Sequence, residues 1–295
     1  MVKYPNINFL RYRFVTAFLS CALIGAGVFG YIKHKGFRYS VDFVGGTQVL
    51  VKFSKPVGSE SLKKALAESG FKDITTREFS DVDALVRVKE FSNDVHGLGI
   101  KIKDGLEKHL GPDMQATILE TNAVGPGIGS ALISNSLWMV AMGLLVMLLY
   151  IAMRFWSLSY GMGAVVAIFH DALCILAVFV LLDKEISPNV VIAILTTLGY
   201  SINDTIVIFA RIRENFVKEA GKTAQEIVNV SLNQTLKRTL LTSISTGLTV
   251  GSLFVYGGET LRSLSLALLV GIVVGTYSSI FIASPVMLLL RGRKS

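Results

Sequence analysis

The sequence predicts an α-helical membrane bundle of six transmembrane helices, with one α+β domain inserted between the first and second helices. Apolar types make up 52% of the 295 residues and charged types only 17%, whereas soluble domains usually carry about 25% charged residues. The mean hydropathy of the chain is +0.57. The apolar residues are concentrated in six long stretches, while residues 33–133 are polar and mixed in charge.

Each apolar stretch has the length of about 20 residues that an α-helix needs to cross the hydrocarbon core of a bilayer. The first stretch follows Arg11 and Arg13, but it is long for a signal peptide and no cleavage site follows it, so it is predicted to be an uncleaved anchor helix. The last stretch is longer than a bilayer requires, which predicts that it tilts, kinks or projects. The six predicted spans are 14–32, 134–153, 159–182, 190–210, 239–256 and 262–290.

The distribution of Lys and Arg predicts the orientation of the spans. With the N-terminus inside, the inner segments hold 13 cations, whereas the short outer loops hold only Lys184 and Arg262. Cytoplasmic loops carry such an excess of positive charge. Both termini are therefore predicted to be cytoplasmic and residues 33–133 periplasmic. The formal net charge of +8 then reflects this asymmetry, and no nucleic-acid partner is predicted.

The polar segment 33–133 is predicted to be a small domain. Its pattern contains a strand, a helix, two strands, a helix and a last strand, and the order β-α-β-β-α-β is typical of the ferredoxin-like fold. The predicted elements are 47–54, 59–68, 74–79, 84–90, 93–110 and 114–121. The whole chain then divides into 1–32, 33–133, 134–210, 211–238 and 239–295.

The inner segment 211–238 is predicted to be a cytoplasmic loop with a short amphipathic helix. Thr223 and Glu226 fit a capping box, which marks the start of a helix. The apolar and small residues that follow suit a helix lying on the inner membrane face. The alternative is an ordinary helix that leads directly into the fifth span.

Three glycine patterns in the spans are predicted to serve helix packing. Residues 25–30 match the dinucleotide-binding pattern G-x-G-x-x-G, but they lie within an apolar span and lack the required strand-turn-helix context. Residues 247–251 and 271–275 match G-x-x-x-G, which permits close helix approach. Cys21 and Cys174 lie in separate spans, so no disulfide is predicted, and the sequence shows no metal-binding spacing.

Two carboxylates inside the spans are the strongest functional candidates, because an ionisable side chain in a membrane is costly. Asp171 follows His170 in the third span, and Asp204 follows Asn203 in the fourth. The fifth span opens with Arg238, and spacings of three and four place hydroxyls on one helical face. That predicted hydroxyl-lined path consists of Thr239, Thr242 and Thr246.

These residues suit a proton relay. A low dielectric favours the protonated form of a carboxylate, and a nearby guanidinium favours the ionised form. A movement of Arg238 relative to Asp204 would therefore load and unload a proton. The alternatives are a static pair that fixes helix packing and threonines that bond only their own backbone.

The segment after the first span holds Asp42, Phe43, Gly45 and Gly46. Paired glycines permit a tight backbone path. The segment is either a rigid bend or a hinge that transmits movement between the spans and the outer domain.

At several positions the chain resembles the SecD/SecF family, and its layout of one anchor, one outer domain and five further spans is similar to that of the SecF members. The similarity covers nearly the whole chain in order. The segments that carry it are 41–47 (VDFVGGT), 124–126 (VGP), 170–171 (HD), 199–207 (GYSINDTIV), 211–215 (RIREN), 234–239 (QTLKRT) and 257–258 (GG).

The resemblance implies a subunit that acts with SecD, the SecYEG translocon and YajC, and that uses the proton-motive force to help draw preproteins across the bacterial inner membrane. It implies no enzymatic activity and no cofactor, with protons as the coupling ion. The family's key charged positions match Asp204 and Arg238. The resemblance supports a relay role for Asp171 less strongly. Many relatives have Asp where this chain has Ala210. The rival functions are a proton-coupled small-molecule exporter and a purely structural subunit.

Overall fold

A computed structural model of the chain describes residues 7–291 except residues 79, 93, 112–113, 126 and 220, and at residues 259 and 260 it describes the backbone alone. The predicted features that involve Phe79, Pro112 and Pro126, and the terminal cations Lys3, Arg293 and Lys294, lie outside the described residues. The chain forms two compact units. One consists of Met1–Arg38 with Trp138–Ser295, and the other of Tyr39–Leu137.

The helices of the described residues are, in chain order, α1 (Arg13–Lys33), α2 (Val41–Val44), α3 (Ser59–Glu68), α4 (Val95–Leu110), α5 (Ile128–Phe155), α6 (Leu158–Leu181), α7 (Pro188–Lys218), α8 (Ala224–Tyr256), α9 (Gly258–Ser278) and α10 (Ser284–Arg291). The strands are β1 (Gly46–Phe53), β2 (Thr75–Glu78), β3 (Asp83–Val88) and β4 (Ala116–Val124). A turn of 3-10 helix, Phe9–Tyr12, precedes α1.

Six long apolar helices are present at the predicted places, which confirms the membrane-spanning part of the fold class. They are Phe9–Lys33, Ile128–Phe155, Leu158–Leu181, Pro188–Lys218, Ala224–Tyr256 and Leu261–Arg291. We call residues 1–38 with 138–295 the membrane unit. The long last helix contains a π-helical segment, Ser279–Ala283, between α9 and α10, and such segments are frequent at functional sites.

The prediction that residues 211–238 form a loop was wrong for most of the segment. Helix α7 continues to Lys218 and α8 begins at Ala224, so the connection between them is only a few residues long. The capping box of Thr223 and Glu226 is present. It starts a single helix that runs without a break into the fifth span, because buried apolar residues continue along its first turns. The interpretation as a helix leading into the span is therefore the observed one.

Small residues set the packing of the membrane unit. A Cβ at Gly271 or Gly275 of α9 would lie within 3 Å of Thr197 or Ser201 of α7, and Gly27 of α1 packs in the same way on Ala177 of α6. Residues 25–30 and 271–275 therefore serve close helix approach, as predicted. For residues 247–251 no described atom lies within 4 Å of the Cβ position of either glycine, so the described residues show no close helix approach there.

The second unit, residues 39–137, is an α+β unit with a four-stranded antiparallel sheet in the order β2-β3-β1-β4. Alternate residues of β1 and β3 are fully buried, as the alternating pattern requires, and they pack against α3 and α4. The buried cluster that they form includes Val49, Val51, Leu62, Leu66, Val86, Ile102 and Leu106. The element order along the chain is β-α-β-β-α-β.

Candidate functional site

Asp204 lies in the interior of the membrane unit, on α7. Asp204 is only 4% exposed, and its Oδ2 atom has no hydrogen-bond partner among the described residues. Thr239 of α8 is 1% exposed, and its hydroxyl is also without a partner among those residues. Buried polar groups without partners are rare in native structures, and they often mark functional sites.

Hydrogen bonds at two levels set the register between α7 and α8. The Tyr200 hydroxyl donates to Ser243 at 3.4 Å, and the Asn215 amide donates to Ser231 at 2.8 Å. Because the two helices are joined by a short connection and run antiparallel, this register places Thr239 level with Asp204. The two unpartnered oxygens therefore lie at the same depth on neighbouring helices.

Arg238 precedes Thr239 on α8 and is exposed in this chain. Its position next to Thr239 places it near the depth of Asp204 on the neighbouring helix. A carboxylate that is buried beside a cation at the rim of the bundle can exchange a proton when the cation moves, because the cation favours the ionised form and burial favours the protonated form.

The predicted hydroxyl path is divided by the structure. Thr239 is buried towards α7, whereas Thr242 is exposed and bonds the backbone carbonyls of Arg238 and Thr239, and Thr246 is half-buried. A step of three residues leaves successive side chains about 60° apart around a helix. The inward position one turn after Thr239 is instead taken by Ser243.

Two polar stripes face outwards from the membrane unit. On α8 the stripe contains Arg238 and several hydroxyl residues, and on α7 it contains Asn203, which the sequence grouped with Asp204. The threonines of these stripes bond backbone carbonyls of their own helices, so Arg238 and Asn203 are the members that would be costly against lipid. The exposed members are Thr196, Gly199 and Asn203 on α7 and Arg238, Thr242, Ser245 and Thr249 on α8.

Asp171 and His170 lie in a second polar cluster, where both are buried. His170 Nδ1 lies 3.1 Å from Oδ1 of Asp171, and the Ser201 hydroxyl donates to Oδ2 of Asp171 at 2.6 Å. Both carboxylate oxygens thus have partners, in contrast to Asp204. Ser201 lies one turn before Asp204, so α7 connects the two clusters.

The sequence did not identify Ser20 of α1, Ser201 of α7 and Tyr277 of α9 as members of this cluster. Ser20 Oγ lies 2.9 Å from His170 Nε2 and 3.0 Å from the Tyr277 hydroxyl. All three are hydroxyl residues within predicted spans, which is a recognisable signal. Their association was not predictable, because helices far apart in sequence bring them together.

The segment Asp42–Gly46 belongs to the α+β unit. Asp42 and Phe43 lie in the single turn of α2, where Asp42 accepts a hydrogen bond from Ser40 at 2.8 Å. Gly45 and Gly46 have φ angles of +80° and +110°, which favour glycine. These contacts hold the segment in a defined bend at the start of β1.

Among the described residues, no group of three or more His, Cys, Asp or Glu side chains could hold a metal ion. The groups that the site offers are two carboxylates, an imidazole, a guanidinium and hydroxyls. Carboxylates, imidazoles and hydroxyls can bind or pass on a proton, whereas a guanidinium remains a fixed positive charge.

Two family descriptions match the chain. Residues 104–293 match the family described as protein export membrane protein SecD/SecF, C-terminal, and residues 34–57 match the SecD/SecF GG motif. The first match covers the five spans that follow the outer unit. The second covers the segment that contains Asp42 and the paired glycines.

Similar proteins extend the match to nearly the whole chain. The chain is 39% identical to the protein translocase subunit SecF of Thermodesulfovibrio yellowstonii over 293 residues, which are 97% of this chain and 95% of that protein. It is also 39% identical to the SecF of Vibrio alginolyticus, over 97% of this chain and 90% of that protein. It is 38% identical to the SecDF of Thermus thermophilus, over 98% of this chain but 39% of that protein.

Solved structures agree with these matches. A crystal structure of SecDF from Thermus thermophilus, described as a translocon-associated membrane protein, matches with a TM-score of 0.86 and 36% identity, over 98% of this chain. A super-membrane-facing form of SecDF matches with a TM-score of 0.69 and 34% identity. The chain spans 39% and 40% of those two chains. It is a multi-pass membrane protein, and it belongs to the SecD/SecF family of protein export membrane proteins.

Proposed function

We propose that this chain is a SecF-type subunit which, with a SecD-type partner, uses the proton-motive force to assist preprotein translocation through the SecYEG translocon. The observation that carries the proposal is the buried carboxylate Asp204, which has an oxygen without a hydrogen-bond partner among the described residues. Arg238 lies at a similar depth on the neighbouring helix α8. The family to which the chain belongs is described as protein export membrane proteins, which supports protein export as the process that this proton chemistry would drive. No covalent bond is made or broken, so the proposal describes a transporter subunit and not an enzyme.

In this mechanism Asp204 binds the proton. When Arg238 lies close, the carboxylate is favoured as the anion, and when Arg238 moves away the low dielectric favours the protonated form. Proton binding and the position of α8 are thereby linked, because each state of the carboxylate stabilises a different position of the arginine. The hydroxyl of Thr239, at the same depth, is suited to bond a water molecule beside Asp204.

The partner is inferred from two observations. The chain matches about two fifths of fused SecDF chains, and the remainder of such a chain supplies a second half. The polar stripes of α7 and α8 are exposed in this chain alone, and a SecD-type half that covers them would bury Arg238 and Asn203 beside Asp204. YajC is included as a further partner on the resemblance alone.

The topology in the proposal follows the distribution of charge. The cationic segments face the cytoplasm of a bacterial inner membrane, and residues 33–133 form a periplasmic domain. The element order and the sheet order β2-β3-β1-β4 support a ferredoxin-like fold for that domain. The defined bend at residues 42–46 supports the interpretation of this segment as a rigid bend at the start of β1.

Substitution of Asp204 tests the proposal. Asp204→Asn keeps the shape of the side chain but removes the exchangeable proton, so we expect loss of stimulated preprotein export while assembly with the SecD-type partner persists. The measurement is export from proteoliposomes against an imposed pH gradient. The matched control is Glu214→Gln on the same helix, since Glu214 is an exposed residue paired with Arg211 and Lys218.

Export that is unchanged in Asp204→Asn would overturn the relay. If Arg238→Ala still supports export that depends on the pH gradient, the subunit has a structural role instead. If deletion of the chain abolishes drug efflux and leaves export intact, the protein is a small-molecule exporter of related architecture.

A further inference from the structure

A chain of hydrogen bonds connects three helices of the membrane unit beside the Asp204 site. It starts at Asp171 of α6 and passes through His170 to Ser20 of α1 and then to Tyr277 of α9, where it ends on the backbone carbonyl of Thr16. The successive distances are 3.1, 2.9, 3.0 and 2.6 Å. Ser20, His170 and Asp171 are buried and Tyr277 is half-buried, so the hydrogens of the path are assigned first to the bonds within it.

The carbonyl end of the chain fixes the direction of the bonds. A carbonyl oxygen can only accept, so the Tyr277 hydroxyl donates its single hydrogen to Thr16. Ser20 must then donate its hydrogen to the oxygen of Tyr277. Because Ser20 has no further hydrogen, Nε2 of His170 carries a hydrogen and donates it to the Ser20 oxygen.

The other imidazole nitrogen faces a carboxylate. Without a proton between them, Nδ1 of His170 and Oδ1 of Asp171 would be two acceptors 3.1 Å apart. One proton therefore lies on Nδ1 or on Oδ1. Oδ2 of Asp171 accepts from Ser201 and needs no second proton. The pair then carries no net charge, as its burial in a low dielectric favours.

We propose that Ser20 and Tyr277 are positioning residues that hold His170 as an Nε2 donor and so make His170–Asp171 a second proton-carrying pair of this subunit. The proposal rests on the proposed function, because proton-driven transport gives a second carrier beside Asp204 its role. Ser201 bonds the pair and lies one turn from Asp204, which links the two carriers through α7.

Other titratable groups adjoin the pair from the packed helices. Cys174, on the same helix, places its sulfur 3.5 Å from Nε2 of His170, and the ring of Tyr277 stacks on the imidazole with centroids 5.9 Å apart. Helix α7 contributes the Ser201 hydroxyl and, one turn further, Asp204. The described contact from α1 is the hydroxyl of Ser20.

Removal of the Tyr277 hydroxyl should change which nitrogen of His170 carries the hydrogen. Ser20 is then free to donate to Nε2 of His170, and the neutral imidazole carries its hydrogen on Nδ1 and donates to an ionised Asp171. The pair no longer requires the additional proton and binds it less tightly. We expect the pH of half-maximal proton uptake to fall by about one unit in Tyr277→Phe and in Ser20→Ala.

The experiment uses the full chain with its SecD-type partner in proteoliposomes, and it measures proton uptake against external pH. Ser20→Thr retains a hydroxyl and should keep the wild-type midpoint. Tyr160→Phe is the control, since Tyr160 is a buried tyrosine of α6 whose hydroxyl bonds Arg291. In parallel, the ¹⁵N solid-state NMR spectrum of His170 in the wild type should show a hydrogen on Nε2 and a proton shared at Nδ1.

Unchanged midpoints in both Tyr277→Phe and Ser20→Ala would overturn the proposal. A wild-type spectrum that shows a neutral His170 imidazole with its hydrogen on Nδ1 would also overturn the proposal. This measurement needs only the wild-type protein, so it tests the proposal even when a variant fails to accumulate. Asp204→Asn in the same vesicles separates the two proposals. If Asp204→Asn abolishes proton uptake while Tyr277→Phe and Ser20→Ala keep the wild-type midpoint, only the proposal for the His170–Asp171 pair is refuted. If Asp204→Asn retains proton uptake, the relay at Asp204 is refuted.

Discussion

Replacement of Gly271 by alanine tests how α9 packs on α7. A Cβ atom at this position would lie 2.5 Å from both Cβ and Cγ2 of Thr197, and 2.6 Å from its Oγ1. The Cβ of Thr197 is fixed by the backbone of α7, so a change of rotamer cannot relieve the contact. Its hydroxyl is also held, at 2.9 Å, by the carbonyls of Ala193 and Ile194.

The magnitude follows from this geometry. Carbon atoms pack at about 3.5–4.0 Å, so α9 and α7 must separate by roughly 1 Å to admit the methyl group. Overpacking of this kind costs about 1–3 kcal/mol, and alanine recovers up to about 1 kcal/mol as a better helix former. We expect Gly271→Ala to lower the free energy of unfolding by about 1–2 kcal/mol.

Gly247→Ala is the matched control, because Gly247 begins the same G-x-x-x-G pattern but has no described atom within 4 Å of its Cβ position. It should be neutral or slightly stabilising. Both variants of the full chain can be unfolded by titration with SDS in mixed micelles and followed by far-UV circular dichroism. Equal unfolding midpoints for the two variants would refute the packing argument.

Three further substitutions have defined outcomes. Gly46→Ala should destabilise the α+β unit by about 1–3 kcal/mol, because φ is +110° and the new Cβ would lie 2.6 Å from the Val88 carbonyl oxygen. Hydrogen exchange of the β1 amides should become faster. The control is Gly58→Ala, which should leave that exchange unchanged because no described atom lies within 4 Å of the Cβ position of Gly58. Thr223→Ala removes the cap of α8 and should cost about 1 kcal/mol, seen as faster exchange in its first turn, whereas Thr223→Ser should not. Asn215→Ala loses bonds of 2.8 and 2.9 Å to α8. It should lower the SDS unfolding free energy by about 1–3 kcal/mol, and an unchanged midpoint would contradict that bracing role.

Much of the candidate site was predictable because the cost of polar groups in a membrane makes them conspicuous in sequence. Asp171 and Asp204 stand out within apolar stretches, and the structure buries both. The stripe of threonines was less informative, because helical spacing alone does not tell which residue of a broad face points inwards. Thr239 and Ser243 face inwards, whereas Thr242 and Asn203 face outwards.

The glycine patterns show the same limit. Residues 247–251 and 271–275 share one spacing, yet among the described residues the glycines of the second pattern touch a neighbouring helix closely and those of the first do not. Which glycine is used depends on the helix that packs opposite, and that choice is made by the whole bundle.

The sequence by itself determined the six long helices, the α+β character of residues 33–133 and the carboxylates worth testing. These depend on local hydropathy and periodicity, which act along short lengths of chain. Only the tertiary structure decided that Asp204 has an oxygen without a partner among the described residues while both oxygens of Asp171 are bonded. It also decided that Ser20 bonds both His170 and Tyr277. Those outcomes depend on contacts between helices distant in sequence, whose relative rotation and depth are set by packing.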